Sequence, residues 1–265
     1  MNSVHVRTVA VYIIVLCTII ALTSGKQVRV RLTQDALFAL APSAERAYAY
    51  GSRHLNAAMP DGYDINRAEM YFLEAVRIDP TFPYVFHELA RIAFLRGEYE
   101  LALTRINFQI AQHGESAPKS FYIRGLVEGY MGLYDDAVRD YQHYLSLLDS
   151  PSWAGYNDYA WVLLKADQPR EAAAAAAKGL KTFPQNPWLL NSLATALYEI
   201  GDYEVALSAA ETAGLYVEDI SDEEWLNAYI GNDPRSVPLG IETFRSAVRG
   251  NIHTIQQNIA ARAVQ

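Results

Sequence analysis

Residues 86–106 read FHELARIAFLRGEYELALTRI, two apolar helical stretches that are joined by Gly97-Glu98-Tyr99. A small residue stands within each stretch, Ala90 in the first and Ala102 in the second. Helices approach closely only where side chains are small, and glycine suits a tight turn because a positive φ costs it little. The stretch therefore predicts a hairpin of two α-helices.

The same pattern recurs along the chain. Alanines early in the second helix follow one another at spacings of 34, 35, 35 and 34 residues, and small residues in the first helix precede them at spacings of 39, 35, 35 and 34. The alanines are Ala68, Ala102, Ala137, Ala172 and Ala206, and the preceding series is Gly51, Ala90, Gly125, Ala160 and Ala194. Two series that stay in step indicate an internal repeat, in which stacking of hairpins completes the core.

In its order of residues the repeat resembles the tetratricopeptide family, whose unit of about 34 residues has the pattern W-x2-L-G-x2-Y, then A-x3-F, then a proline. The resemblance covers roughly Ala44 to Val217. It implies an all-α fold, an α-solenoid of about five helix–turn–helix units. The units fall at about 44–82, 83–117, 118–152, 153–186 and 187–217.

The first and fourth units depart from the family pattern. The first is irregular, with about five extra residues around Met59–Asp64. In the fourth, Asp167-Gln168-Pro169 stands where the second, third and fifth units have Gly-x-Tyr. The sequence therefore leaves the geometry of the fourth turn open.

The period ends after Val217, and residues 218–265 are predicted to form capping helices. Ser221 and Glu224 have the spacing of a capping box. An apolar stripe on a long helix follows, formed by Ile241, Phe244, Val248, Ile252, Ile255 and Ile259. The stripe has two interpretations: a cap over the last hairpin, which repeat proteins require, or a surface for self-association or for a partner.

Residues 1–7 form a short tail, and residues 8–25 are uncharged. As a helix, residues 8–25 would span about 27 Å, close to the roughly 30 Å of a bilayer core. We predict a transmembrane helix there, followed by a basic linker over residues 26–43, in a single-pass membrane protein with an extracytoplasmic soluble domain. A cleaved secretory signal and a buried core helix are the alternatives.

Composition and motifs exclude several function classes. Residues 1–31 hold four bases and no acid, so the rest of the chain, with 18 bases and 30 acids, carries a formal charge of −12. Such a body should repel nucleic acid. Cys17 is the sole cysteine, so the chain forms no intramolecular disulfide and no cysteine metal cluster.

Catalytic and metal motifs are also missing from the sequence. Residues 87–91, HELAR, resemble H-E-x-x-H but carry Arg91 in place of the second histidine, and zinc needs both imidazoles. No phosphate-binding loop or nucleophile elbow occurs. We predict no enzyme, no cofactor and no metal, although an enzyme with an unrecognised site remains a possible alternative.

The family resemblance implies a concave groove that is lined by the first helix of each hairpin. Residues offset from the packing positions would project into it: His87, Arg91, Lys119, Tyr122, Asn157, Asp158, Trp161, Asn191 and Thr195. Amide side chains can bind a peptide backbone, and the aromatic rings offer flat apolar area. A solvated helix face is the alternative for each residue. Since Asp158 and the scarcity of bases depart from the family's carboxylate-clamp groove, we do not expect binding of a C-terminal carboxylate.

These features predict a membrane-tethered scaffold that binds a peptide or protein partner in its groove. The alternative is a secreted or periplasmic structural protein that forms homo-oligomers through its C-terminal helix.

Overall fold

The computed structural model describes residues 35–56, 62–228 and 233–263. The regular structure in these ranges is helical, and they contain no strand. The α-helices are α1 Ala44–His54, α2 Ile65–Ile78, α3 Val85–Leu95, α4 Tyr99–His113, α5 Lys119–Tyr130, α6 Tyr134–Ser146, α7 Trp153–Lys165, α8 Pro169–Leu180, α9 Pro187–Ile200, α10 Tyr203–Val217, α11 Asp222–Ala228 and α12 Val237–Ala263. Residues 35–40 are also helical, and short 3₁₀ turns lie at Gly114–Ser116 and Pro234–Ser236.

The chain divides into two compact units, residues 1–85 and 86–265. The described part of the first unit contains the hairpin of α1 and α2, whose helices cross at Gly51. A Cβ on Gly51 would lie 2.6 Å from the Phe72 ring, so the close approach requires glycine. Asp64 begins α2 by accepting a 3.1 Å hydrogen bond from the Arg67 N–H. The irregular first repeat is thus a helical hairpin.

The second unit contains four further hairpins, α3/α4, α5/α6, α7/α8 and α9/α10, which match the predicted second to fifth repeats. Its alanines of the two repeat series have no exposed area: Ala90, Ala102, Ala137, Ala160, Ala172, Ala194 and Ala206. Gly125 is buried against Tyr141, whose ring would lie 3.0 Å from an added Cβ. The small residues that reveal the repeat are therefore the helix crossing points.

The four turns between paired helices of the second unit share one geometry. Gly97, Gly132 and Gly201 adopt φ values of 75°, 79° and 92°, and Asp167 occupies the equivalent position with φ 58°. In each turn the next residue donates its backbone N–H to the carbonyl four residues before the left-handed residue; Gln168 to Leu163, at 2.9 Å, is one example. The fourth turn, which the sequence left open, is therefore the same Schellman turn with aspartate in place of glycine.

Helix α12 packs along the last hairpin. Ile241 and Val248 share an apolar cluster with Trp188 and Val217, and Ile255 joins a second cluster with Ala194 and others of α9 and α10. The Asn251 amide donates to Asn191 Oδ1 at 2.8 Å, and Asn258 donates to the Tyr198 hydroxyl at 2.9 Å. Both pairs are 60 residues apart, so α12 runs beside α9 in the same direction. It takes the place of the first helix of another unit, and its predicted apolar stripe packs against α9 and α10.

Two predictions near the termini have different outcomes. The capping box is confirmed, since the Glu224 N–H donates to Ser221 Oγ at 3.2 Å and the Ser221 N–H donates to Glu224 at 2.9 Å. The predicted transmembrane segment, residues 8–25, lies outside the described residues. None of the helices in the described ranges is long and apolar enough to cross a bilayer.

Candidate functional site

The nine predicted groove residues lie on α3, α5, α7 and α9, within the second unit. The structure divides them by burial. His87, Asn157 and Asp158 are buried, whereas Lys119 is exposed. The remaining residues are partly exposed: Arg91, Tyr122, Trp161, Asn191 and Thr195.

Three neighbouring helices are joined by a chain of buried polar side chains, which we call the polar ladder. The Tyr122 hydroxyl on α5 donates to Asp158 Oδ2 on α7 at 2.5 Å. The Asn157 amide donates to Asp158 Oδ1 at 3.1 Å, and Ser192 on α9 donates to Asn157 Oδ1 at 2.9 Å. The bonds between helices connect residues that lie 35 or 36 positions apart, close to the repeat period of 34 to 35 residues.

The polar ladder continues in both directions. A ring nitrogen of His87 lies 3.3 Å from Ser120 Oγ, and Asn191 accepts from Asn251 on α12. Four of the side chains that were predicted to meet a peptide, those of His87, Tyr122, Asn157 and Asn191, thus have a partner on a neighbouring helix. Asn157 and Asp158 are only 8% and 7% exposed, so a ligand on the surface would not contact them.

The ladder has a distinctive protonation pattern. Burial raises the pKa of Asp158 to about 6, although the hydrogen bonds from Tyr122 and Asn157 counteract it. Burial, together with the charges of Arg91 and Lys119, lowers the pKa of His87 to about 3. His87 is therefore neutral at pH 7. The pKa of Asp158 lies about one unit below pH 7, so a small fall in pH protonates this carboxylate.

The residues that resemble a metal motif form a packed pair instead. Arg91 Nη1 lies 2.5 Å from Glu88 Oε2, and the two side chains are 11% and 13% exposed. Burial raises the pKa of Glu88, and Arg91 opposes this effect. No group of three or more potential metal ligands occurs in the part of the chain that the structure describes.

A second buried charged cluster joins α5 to α6. Arg124 Nη2 donates to Asp140 Oδ1 at 2.7 Å, and Arg124 Nε lies 3.8 Å from Glu128 Oε1. Burial, followed by the nearby Asp140 carboxylate, raises the pKa of Glu128 to about 8. Glu128 is therefore largely protonated at neutral pH, and the cluster holds two helices of one hairpin together.

The exposed part of the predicted groove surrounds a cavity of about 280 Å³. Trp161 and Thr195, both predicted, line it together with Lys165 and Glu199. The cavity lining is completed by Leu164, Asp167 and Pro169. Lys165 and Glu199 follow the two predicted residues by four positions, so they share a helix face with them. This spacing is the signal that could have found them.

An aromatic surface adjoins the cavity. The Trp161 ring lies over Gly129, where an added Cβ would be 2.7 Å from Trp161 Cζ3. Its centroid is 5.4 Å from that of Tyr130, which in turn lies 5.0 Å from Phe94. Tyr130 remains 54% exposed. Tyr130, Lys165 and Glu199 are 35 and 34 residues apart, so the repeat period also pointed to this position.

We call Tyr130, Trp161, Lys165, Thr195 and Glu199 the groove face. These side chains lie on the C-terminal halves of α5, α7 and α9. The face combines flat aromatic area with charged groups, and such a surface suits contact with another chain. Lys119 is exposed at the opposite end of α5.

Comparison with known proteins identifies the class of fold. No protein-family model and no curated protein sequence matches the chain. Among solved structures, a MamA double mutant superposes with a TM-score of 0.56 at 14% identity, over 66% of this chain and 95% of that one. YrrB, described as a TPR protein with an unusual peptide-binding site, superposes with a TM-score of 0.51 at 16% identity, over 71% of this chain and 97% of that one.

These likenesses define the class of fold, an all-helical tetratricopeptide-like repeat. At such identities they concern the fold alone. The predicted repeat architecture is therefore confirmed, and function has to be argued from the residues of this chain.

Proposed function

We propose that this protein is an interaction scaffold whose groove face binds an extended segment of a partner protein. The observation that carries the proposal is the exposed Tyr130 ring, which lies beside Trp161, a residue that lines the cavity between α7 and α9. Tyrosine and tryptophan are enriched where proteins bind one another, because they bury a large area with few rotatable bonds. The proposal assigns no catalytic step, cofactor or metal to the chain.

The groove face differs from the original set of nine groove residues. Of the nine, Trp161 and Thr195 belong to the proposed surface, whereas Lys119 is exposed at the opposite end of α5. His87, Asn157 and Asp158 are buried, and their polar atoms bond within the polar ladder instead. The ladder links α5, α7 and α9, the helices that carry the groove face, and helices fixed in this way keep exposed contact residues in place before binding.

Photocrosslinking tests the groove face directly. A benzoylphenylalanine in place of Tyr130 is expected to form adducts with a partner in cells, since that ring is exposed on the groove face. Phe108 on α4 is the matched control, because it is also an exposed aromatic residue, at 44%, but lies on a second helix. Adducts from position 108 with none from position 130 would reject the groove assignment.

Membrane tethering through residues 8–25 is a further part of the proposal. It is supported by the length of the uncharged segment and by the basic residues Arg7 and Lys26 that flank it. Carbonate extraction of membranes, with N-terminal sequencing of the mature protein, tests it. A mature chain that begins beyond residue 25 would establish a cleaved signal instead.

Self-association through α12 is not proposed, because its apolar stripe packs within the chain. Ile241, Val248 and Ile255 are at most 4% exposed. Removal of α12 would expose Val217 and the apolar residues around it, so a shortened chain would aggregate through this newly exposed surface. Light scattering of the intact protein is the appropriate measurement of oligomeric state.

A further inference from the structure

We infer that the cavity between α7 and α9 is a subsite for an arginine side chain of the partner segment. The inference rests on the proposed function and adds the chemistry of one contact. Its basis is the combination of charge, an aromatic wall and size in that cavity.

The charges around the cavity favour a cation. Asp167 and Glu199 contribute two carboxylates and Lys165 one ammonium group, so one negative charge remains. Within the described residues, none of these three side chains forms an ion pair or a side-chain hydrogen bond. The body of the chain adds a formal charge of −12 beyond residue 31, which attracts basic segments over a longer range.

The walls favour arginine over other cations. Trp161 and Leu164 provide an aromatic and an apolar surface beside the carboxylates. A planar guanidinium can stack on an indole ring and donate paired hydrogen bonds to a carboxylate at the same time. The cavity, at about 280 Å³, has room for an arginine side chain.

The left-handed backbone at Asp167 positions one of the two carboxylates. Three other turns of the second unit have glycine at this left-handed position, and the fourth has aspartate with φ 58°. Glycine adopts that conformation without strain, so the fold does not require a side chain there. The side chain that is present places a carboxylate at the edge of the cavity.

The test uses the full-length protein and a positional library of short peptides, in which one position at a time is fixed as each amino acid. We expect arginine to be enriched at one position, with citrulline, its neutral isostere, about three- to tenfold weaker. Enrichment of Asp or Glu would overturn the inference, and so would binding without any preference for arginine.

Variants then assign the preference to the cavity. Asp167→Gly and Glu199→Gln are each expected to weaken binding of the arginine peptide about three- to tenfold, whereas Lys165→Gln should strengthen it. Glu204→Gln, at an exposed glutamate of α10 that does not line the cavity, is the matched control and should leave binding unchanged. Asp167→Gly keeps the residue type of the other turns, so misfolding would not explain its effect.

The outcomes separate this inference from the proposed function. If peptides bind and the preference for arginine survives both Asp167→Gly and Glu199→Gln, the cavity assignment is wrong and the scaffold function stands. If no peptide binds and crosslinking at position 130 also finds no partner, both proposals are wrong.

Discussion

Asp167 is the residue at which backbone geometry and side-chain chemistry compete. A non-glycine residue in the left-handed region costs roughly 1–2 kcal/mol, although aspartate tolerates it better than most. In the sequence, aspartate stands where three other units have glycine, and in the structure the turn keeps the same left-handed backbone. The strain is local, because the backbone hydrogen bonds of the turn are all present.

We therefore expect Asp167→Gly to raise the free energy of unfolding by about 0.5–1 kcal/mol. The mirror change, Gly132→Ala, should lower it by about 1 kcal/mol, since the alanine would have to adopt φ near 79°. Nothing lies within 4 Å of a Cβ at Gly132, so the cost there is backbone strain alone. Urea unfolding of both variants measures the pair, and a stability loss in Asp167→Gly would contradict the expectation.

Glu128 gives the protein a defined pH dependence. Its pKa is about 8 in the folded chain, above the ordinary value of 4.5 that applies when the chain unfolds. A raised carboxyl pKa means that the folded state binds the proton more tightly, so stability falls as pH rises from about 4.5 to about 8. Much of the cost comes from burial of a carboxylate beside Asp140.

Glu128→Gln should remove this dependence. At pH 9 the variant is expected to be more stable than the natural protein by about 1–3 kcal/mol, whereas near pH 4.5 the two should be similar. Glu204→Gln, on an exposed face, should change neither value by more than about 0.5 kcal/mol. Urea unfolding as a function of pH checks this, and parallel curves for Glu128→Gln and the natural protein would refute it.

At the scale of helices, the polar ladder fixes the register of α5, α7 and α9 with side chains rather than with apolar contacts. Asp158 accepts from both Tyr122 and Asn157, so its removal leaves two buried donors without an acceptor. Each such group costs about 1–3 kcal/mol.

Asp158→Ala should therefore lower the free energy of unfolding by about 2–4 kcal/mol at pH 7. Asp158→Asn should lower it by less than about 1 kcal/mol, because the amide keeps the shape and can still bond to Tyr122. Since the pKa of Asp158 is raised to about 6, its ionisation costs stability as pH rises from 3.8 through 6, and Asp158→Asn should lack that slope. Equal losses in the two variants would contradict this expectation, because they would show that the shape and the remaining hydrogen bond of the amide recover none of the lost stability.

Helix α12 completes the last hairpin, as an end unit of a repeat array must. Ile255→Asp would bury a carboxylate among the alanines of α9 and α10, so a loss of about 3–5 kcal/mol is expected. The adjacent Gln256 is exposed, and Gln256→Asp should be nearly neutral. Thermal unfolding compares the two, and similar melting temperatures would mean that α12 does not contribute to the core.

At the scale of the whole molecule, the acidic body should make binding sensitive to ionic strength. If the partner segment is basic, its affinity should fall as salt rises from about 0.05 to 0.5 M, because screening shortens the reach of surface charges to a few ångströms. Fluorescence anisotropy with a labelled arginine peptide measures this. Salt-independent binding would indicate that the contacts are chiefly apolar.

The sequence predicted the candidate site less well than it predicted the fold. The repeat period located the first helices correctly, and it placed Trp161 and Thr195 on the exposed face. It did not reveal that Asn157 and Asp158 face the neighbouring helix, because helical spacing alone does not say how close the next helix lies. Tyr130 was missed although the repeat period pointed to it, since it lies one period before Lys165.

The sequence by itself determined the hairpins, their number in the repeat region and the helix that follows them. Small residues recur at every helix crossing, and each such crossing is a local requirement for close backbone approach. The tertiary structure alone decided which polar side chains are buried between helices and which surround the cavity. Those properties depend on the distance between residues one repeat apart, and that distance is set by the packing of neighbouring hairpins rather than by any one of them.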